Sequence, residues 1–155
     1  MTRAAKILTV SDGAAAGERA DASGAALGRR LADAGYEVVE RRVVPDGAES
    51  VAAAVRALTE GFSGLLLTTG GTGFGPRDLT PEGTRAVLER EAPGIAEATR
   101  RSSALGPLSR GVAGTIGSCL VVNLPGSTTG ALESLEAVIS LVPHALELLA
   151  GERPH

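Results

Sequence analysis

The chain has 155 residues, 43% hydrophobic and 21% charged, which suits one folded domain over 1–155 and argues against disorder. Its net charge is -3, its basic residues cluster no further than the pairs Arg29-Arg30, Arg41-Arg42 and Arg100-Arg101, and it has two Phe, one Tyr and no Trp; no nucleic-acid or membrane-surface binding is expected, while a small anionic ligand stays open. One Cys and two His are too few for a disulfide or a typical structural zinc site, and with no signal-like stretch or run of about 20 apolar residues a cytoplasmic location is expected.

In chain order, Lys6 to Val10 predicts a buried strand opening into the polar loop Ser11-Asp12-Gly13. The stretch from there to about Ala22 has no clear period and is expected as loop. From Ser23, the residues Ala26, Leu27, Leu31 and Ala34 recur at helical spacing, and Gly35 supplies a stop. Tyr36 to Val44 is rich in β-branched residues and predicts a second strand, closed by Pro45-Asp46-Gly47. Val51, Ala54, Val55 and Leu58 mark another helix. Leu65 to Thr69 is the strongest buried strand, and a glycine turn with Gly70, Gly71, Gly73 and Gly75 follows at once.

Beyond the turn, Thr80 is expected as N-cap and Pro81 as the first residue of a helix that carries Val87 and Leu88 and ends near Pro93-Gly94. A short helix is expected from Ile95 to Ser103, broken by Gly106 and Pro107. Val112 to Ile116 and Cys119 to Leu124 read as strands joined at Gly117-Ser118. Pro125-Gly126-Ser127 then turns the chain into a last helix with an apolar stripe of Leu135, Val138, Ile139, Val142, Leu146 and Leu149, which Pro143 kinks or divides. Cys119 is expected to pack as a small apolar residue, and the terminal His155 to be mobile.

Strands alternating with helices predict an α/β domain with a mainly parallel sheet. In such sheets ligands sit beyond the carboxyl ends of the strands, near a topological switch point. Three loops share that edge: Ser11-Asp12-Gly13, Gly70 to Asp78, and Pro125-Gly126-Ser127. The glycines let backbone approach a phosphate or a flat heterocycle closely, and a following helix N-terminus favours negative charge. Thr68, Thr69 and Thr72 add hydroxyl donors. The turn is neither a Walker A loop nor a strict G-x-G-x-x-G fingerprint. It reads as an anion or nucleotide loop, with a plain flexible connection as the alternative.

Asp78, just before the next helix, suits Mg²⁺ bound between a carboxylate and substrate phosphates, or else caps turn N–H groups. Asp46 stands at another strand exit, where a turn role is the commoner one. Two such aspartates suit metal-assisted phosphoryl or nucleotidyl transfer. Arg77 is placed to grip a phosphate bidentately or to pair with a surface carboxylate.

Taken together, these segments resemble the MogA/MoaB family, which includes the G domains of the plant molybdenum insertase and of animal gephyrin. The resemblance rests on Ile7-Leu8-Thr9-Val10-Ser11-Asp12, Val43-Val44-Pro45-Asp46, the run from Thr69 to Glu82, Leu108-Ser109-Arg110, and Val121-Val122-Asn123-Leu124-Pro125-Gly126-Ser127. They occur in family order across nearly the whole chain, and the long central run is the specific one.

The resemblance implies a three-layer α/β/α sandwich and a molybdopterin adenylyltransferase, in which Mg²⁺ and ATP activate molybdopterin by placing AMP on its terminal phosphate. It maps the two important aspartates, also the Mg²⁺ ligands, onto Asp46 and Asp78. Ser109 and Asn123 match the pterin pocket, and Ser11, Asp12, Thr69, Gly70, Gly71, Thr72, Gly73, Pro125, Gly126 and Ser127 match the ligand-binding loops. It further implies a homotrimer, with a hexamer as variant, and a molybdate-insertion protein of the same pathway as partner. A paralogue or scaffold that binds molybdopterin with little or no transfer is the alternative. The chain departs from the family in having no Arg between Ala113 and Ser118, so that an anion contact is either missing or provided by Arg110, and in the alanine-rich loop Gly13 to Ala20.

Overall fold

A computed structural model describes residues 2–153, so His155 lies outside the described residues. The chain alternates strands and helices: β1 (Arg3–Val10), α1 (Asp12–Ala15), α2 (Ala22–Asp33), β2 (Tyr36–Val44), α3 (Ala48–Thr59), β3 (Gly64–Thr69), α4 (Thr80–Arg85), β4 (Arg90–Glu91), α5 (Pro93–Arg100), β5 (Ala113–Ile116), β6 (Cys119–Leu124), α6 (Thr128–Val138) and α7 (Val142–Leu149). The six strands form one sheet in the order β2-β1-β3-β6-β5-β4. β2, β1, β3 and β6 run parallel, and β5 and β4 join antiparallel at one side.

Burial explains the order. All six residues of β3 are buried, because β3 lies between β1 and β6 with helices on both faces. Each fully buried leucine there contributes about 1.5–3 kcal/mol of hydrophobic stabilisation, so Leu65, Leu66 and Leu67 draw this strand to the centre. Alternate residues serve opposite layers. Ile7, Leu67 and Val122 pack with Leu27, Leu31 and Leu135 of α2 and α6, while Leu8, Leu66 and Val121 pack with Val51, Val55 and Leu58 of α3. Cys119 belongs to the second layer, where burial pushes its thiol pKa up to about 12. It is a packed apolar group, with no catalytic character.

Local signals set most boundaries. Asp21 caps α2 by accepting the Gly24 N–H at 3.0 Å, and Gly35 closes it at φ 89. Pro143 does divide the last helix: α6 ends at Val138 and Pro143 lies in the first turn of α7, where its missing N–H removes no bond. The segment after the glycine turn departs from expectation. α4 is only six residues long, and Val87 and Leu88 lie in a turn that leads to the short edge strand β4. Pro93 opens α5 rather than ending α4, again because proline suits a first helical turn. Thr80 is the first helical residue and not a side-chain cap: its hydroxyl donates to the Gly70 carbonyl at 2.8 Å. The loop expected before Ala22 contains the one-turn helix α1, capped by Ser11.

The connection from β1 leads outward to β2, and the connection from β2 returns across β1 to β3. The loops after β1 and β3 therefore diverge, leaving a crevice at the carboxyl end of the sheet. Among the described residues, no helix is long and apolar enough to cross a membrane.

Candidate functional site

The crevice holds an open polar lobe of about 380 Å³, lined by Ser11, Asp46, Thr69, Gly70, Gly71, Asp78, Gly126 and Ser127. A less polar lobe of about 520 Å³ lies beside it, lined among others by Thr72, Ser109, Pro125, Leu105 and Leu108. Ser127 lines both. The loops after β1, β2, β3 and β6 and the start of α6 thus line two cavities that meet at Ser127.

The glycine turn is held by its neighbours rather than hanging free. Gly70 has φ 103, and a Cβ on it would stand 2.2 Å from the Val10 carbonyl oxygen. Its N–H donates to the Leu124 carbonyl at 3.1 Å, and its carbonyl accepts the Thr80 hydroxyl. Thr69 donates its hydroxyl to the Pro125 carbonyl at 2.7 Å. The turn after β3 is therefore fastened to the end of β6 and packed closely against the end of β1. Among the described residues, the N–H groups of Gly71 and Thr72 have no acceptor, so two backbone donors of the turn remain for a ligand.

Helix ends add to this. Ala22 and Ser23 of α2 and Thr128 of α6 line the polar lobe, so the first turns of two full-length helices face it and favour an anion there. Ser127 caps α6 by accepting the Gly130 N–H at 3.1 Å. Arg19, also lining this lobe, has no carboxylate partner among the described residues. Arg19, Asp21, Ser23 and Thr128 escape sequence reasoning. Only the Asp21 N-cap leaves a readable trace, an Asp just before a helical period.

Asp46 and Asp78 both reach the polar lobe. Asp46 Oδ2 accepts the Asp12 N–H at 3.0 Å, and Asp78 Oδ2 accepts the Gly75 N–H at 2.9 Å. The turn-capping role open to Asp78 is thus occupied by one oxygen only. Among the described residues, the Oδ1 atom of each carboxylate accepts no hydrogen bond, and neither residue has an ion pair. Burial pushes the Asp46 carboxyl above its usual range, and the negative charges of Asp12 and Asp78 add to that, against the pull of the Asp12 N–H. Two neighbouring carboxylates, each with a free oxygen, offer the hard oxygen donors a dication takes, while the helix ends beside them favour an accompanying anion.

Other predicted site residues lie outside both lobes. Asp12 binds the Arg77 guanidinium through both oxygens at 2.7 and 3.0 Å, which holds its carboxyl below the usual range. Arg77 also donates to the Asp46 carbonyl at 2.9 Å, so in the ligand-free chain this guanidinium is taken up by a carboxylate and a carbonyl. Arg110 is likewise engaged: it donates to the Gly73 and Asp78 carbonyls at 2.8 and 2.6 Å and to the Glu82 carboxylate at 2.6 Å. It braces the glycine turn, with Glu82 as its carboxylate partner. Asn123 is 3% exposed. It accepts the Val112 N–H at 3.1 Å and donates to the Thr68 and Thr84 hydroxyls at 2.9 and 3.1 Å. Its amide ties β6 to β3 and α4 beneath the groove, and Gly73 supports the turn from outside it.

The Asp46 environment has a consequence for stability. An acid whose pKa is higher folded than unfolded weakens the fold as pH rises from its ordinary value, 3.8, through the folded value. Asp46→Asn keeps an acceptor for the Asp12 N–H and removes the charge. In chelator, its urea midpoint is expected to exceed that of the wild type at about pH 7, with the gain shrinking towards about pH 4. A lower midpoint at pH 7 would mean that the charge is stabilising.

Residues 6–144 match the family model described as "Probable molybdopterin binding domain". The "Molybdenum cofactor biosynthesis bifunctional protein" of Chlorobaculum tepidum is 39% identical over 151 residues, covering 94% of this chain and 48% of that protein; this chain therefore spans about half of that relative's length. A "Molybdopterin adenylyltransferase" of Helicobacter pylori strain J99 is 33% identical, covering 94% of this chain and 86% of the relative. The crystal structure of the molybdopterin biosynthesis enzyme MoaB from Thermus thermophilus matches with TM-score 0.90 and 47% identity, over 97% of this chain and 98% of that one. By the extent of these matches, the chain belongs to the MogA/MoaB family of molybdenum-cofactor biosynthesis proteins.

Proposed function

We propose that this chain is a molybdopterin adenylyltransferase, with the triphosphate of ATP in the polar lobe and the pterin in the less polar one. The observation that carries the reading is the pair Asp46 and Asp78, each with a free oxygen on the lobe that also receives two helix N-termini. In the reaction, an oxygen of the molybdopterin terminal phosphate forms a bond to the α-phosphorus of ATP. The bond from that phosphorus to the oxygen bridging to the β-phosphate breaks, and pyrophosphate leaves with the bonding electrons.

The chain's share is alignment and charge control. Gly70 and Gly71 present no side chain to the phosphates, and the N–H groups of Gly71 and Thr72 donate to non-bridging oxygens. The first turns of α2 and α6 and the Arg19 guanidinium counter the anionic charge. Asp46 and Asp78 are the residues that would hold Mg²⁺, which when bound neutralises phosphate charge and orients the leaving group. Ser127, at the joint of the lobes, is placed where the two substrates meet. Asn123, Arg77 and Arg110 act through the loops they brace.

The test is pyrophosphate release from ATP by the purified chain with molybdopterin and Mg²⁺. Release that requires all three components is the expected result. Molybdopterin binding without release would leave a MoaB-like binder in its place, a reading that the 47% identity to the Thermus MoaB keeps in view.

A further inference from the structure

The less polar lobe contains one carboxylate that the fold does not use. Glu133 of α6 lines it and has no hydrogen bond or ion pair among the described residues. The contrast with Glu136 on the same helix is direct, since Glu136 is bonded to Arg30. The lobe that Glu133 lines has a mostly apolar surface, to which Leu105 and Leu108, 73% and 54% exposed, contribute together with Ala104 and Pro125. One cation shares the lobe. Arg100 donates to the Gly111 carbonyl at 2.7 Å and has no carboxylate partner among the described residues. Arg77, Arg85 and Arg110, by contrast, are all paired with acids.

A flat heterocycle lying against those leucines keeps only its edge for polar recognition. The pterin edge carries two donors side by side, the 2-amino N–H and the ring N3–H, followed by the 4-oxo acceptor. A carboxylate accepts both donors at once, as it does from a guanidinium. Adenine has no such edge: its amino N–H sits beside a ring-nitrogen lone pair, which a carboxylate repels.

We propose that Glu133 is the specificity-determining residue of the pterin lobe, accepting the paired N–H groups of the pterin edge and keeping adenine out. The guanidinium of Arg100 supplies the donor for the 4-oxo group. Two substrates with flat rings are thereby sorted between two adjoining lobes. This inference rests on the assignment of the pterin to the less polar lobe made above.

The experiment measures binding of 6-hydroxymethylpterin and of 6-hydroxymethyllumazine by fluorescence quenching, using the whole chain. The lumazine replaces the 2-amino donor by an oxo acceptor, keeps N3–H and the 4-oxo group, and gains an N–H at ring N1 on the far side of the new oxo group. Wild type is expected to prefer the pterin by at least about tenfold, the range for a hydrogen bond to a charged group. Glu133→Gln should weaken pterin binding by about tenfold and bring the preference to within about twofold. Glu136→Gln, on the same helix, should behave as wild type, and circular dichroism should show all three folded. Retention of wild-type affinity and preference by Glu133→Gln overturns the role of Glu133 while leaving the pterin lobe standing. A wild-type chain that binds neither probe overturns the lobe assignment, and Glu133's role with it.

Discussion

Replacing Asp78 by asparagine is expected to lower pyrophosphate release by at least about 10²-fold while leaving the folded chain as stable as the wild type or more so. The substitution separates the two roles of this residue. Asparagine still offers a carbonyl oxygen to the Gly75 N–H, which Asp78 Oδ2 binds at 2.9 Å, so the turn keeps its cap. What disappears is the negative charge beside Asp46. That charge is among the influences that push the Asp46 carboxyl up, so its loss relieves repulsion in the ligand-free protein. A gain in melting temperature with a loss of turnover is the mark of a group kept for chemistry against stability. The measurements are pyrophosphate release at saturating ATP and thermal melts in chelator. Turnover within a few-fold of wild type would return Asp78 to a capping role alone. A large drop in melting temperature would show that the cap needs the charge.

Gly70→Ala is the second large effect, and it acts on the fold and the site together. An alanine Cβ would stand 2.2 Å from the Val10 carbonyl oxygen, at a backbone φ of 103 that side chains rarely adopt. The obstructing atom is main chain in β1, so no rotamer change relieves it. The turn must move, and with it the bonds from Gly70 N–H to Leu124 and from Thr80 to the Gly70 carbonyl. A cost of roughly 2–4 kcal/mol is expected, read as a melting temperature about 4–16 °C lower for a chain of this size. Ligand binding should fall with it, because Gly71 and Thr72 lose the orientation of their free N–H groups. Gly17→Ala is the control: its φ is also positive, 76, yet nothing lies within 4 Å of its Cβ. Only the smaller conformational cost of about 1 kcal/mol applies there. Equal melting temperatures for the two variants would remove close approach to β1 as the reason for glycine at 70.

The groove was legible in the sequence to the extent that its parts are local. Pro125-Gly126-Ser127 reads as the turn into the last helix, and α6 begins at Thr128 with Ser127 as its cap. Leu65 to Thr69 ends in glycines, and the turn lies where a buried strand must leave the sheet. α4 was harder. Val87 and Leu88 keep a helical look, but they pack under the sheet from a turn beside α3, and a two-residue strand such as β4 is too short to carry a period. The arginines were harder still. Nothing local tells Arg77 to hold Asp12, 65 positions away, rather than a phosphate, or Arg110 to hold Glu82 across 28 positions.

By itself, the sequence determined the alternation of strands and helices, the buried character of β3 and the three loops at one sheet edge. These follow from apolar period, from proline and from glycine, whose constraints act within a turn or two of chain. The tertiary structure alone decided which polar groups face the groove and which are engaged beneath it. Asn123 and Asp46 both end up near the glycine turn, yet one is saturated by three partners and the other keeps an oxygen free. That difference depends on strand order and layer, which place residues from distant segments within hydrogen-bond reach. Charge and hydrogen-bonding capacity are written in the residue; the partner that satisfies them is not.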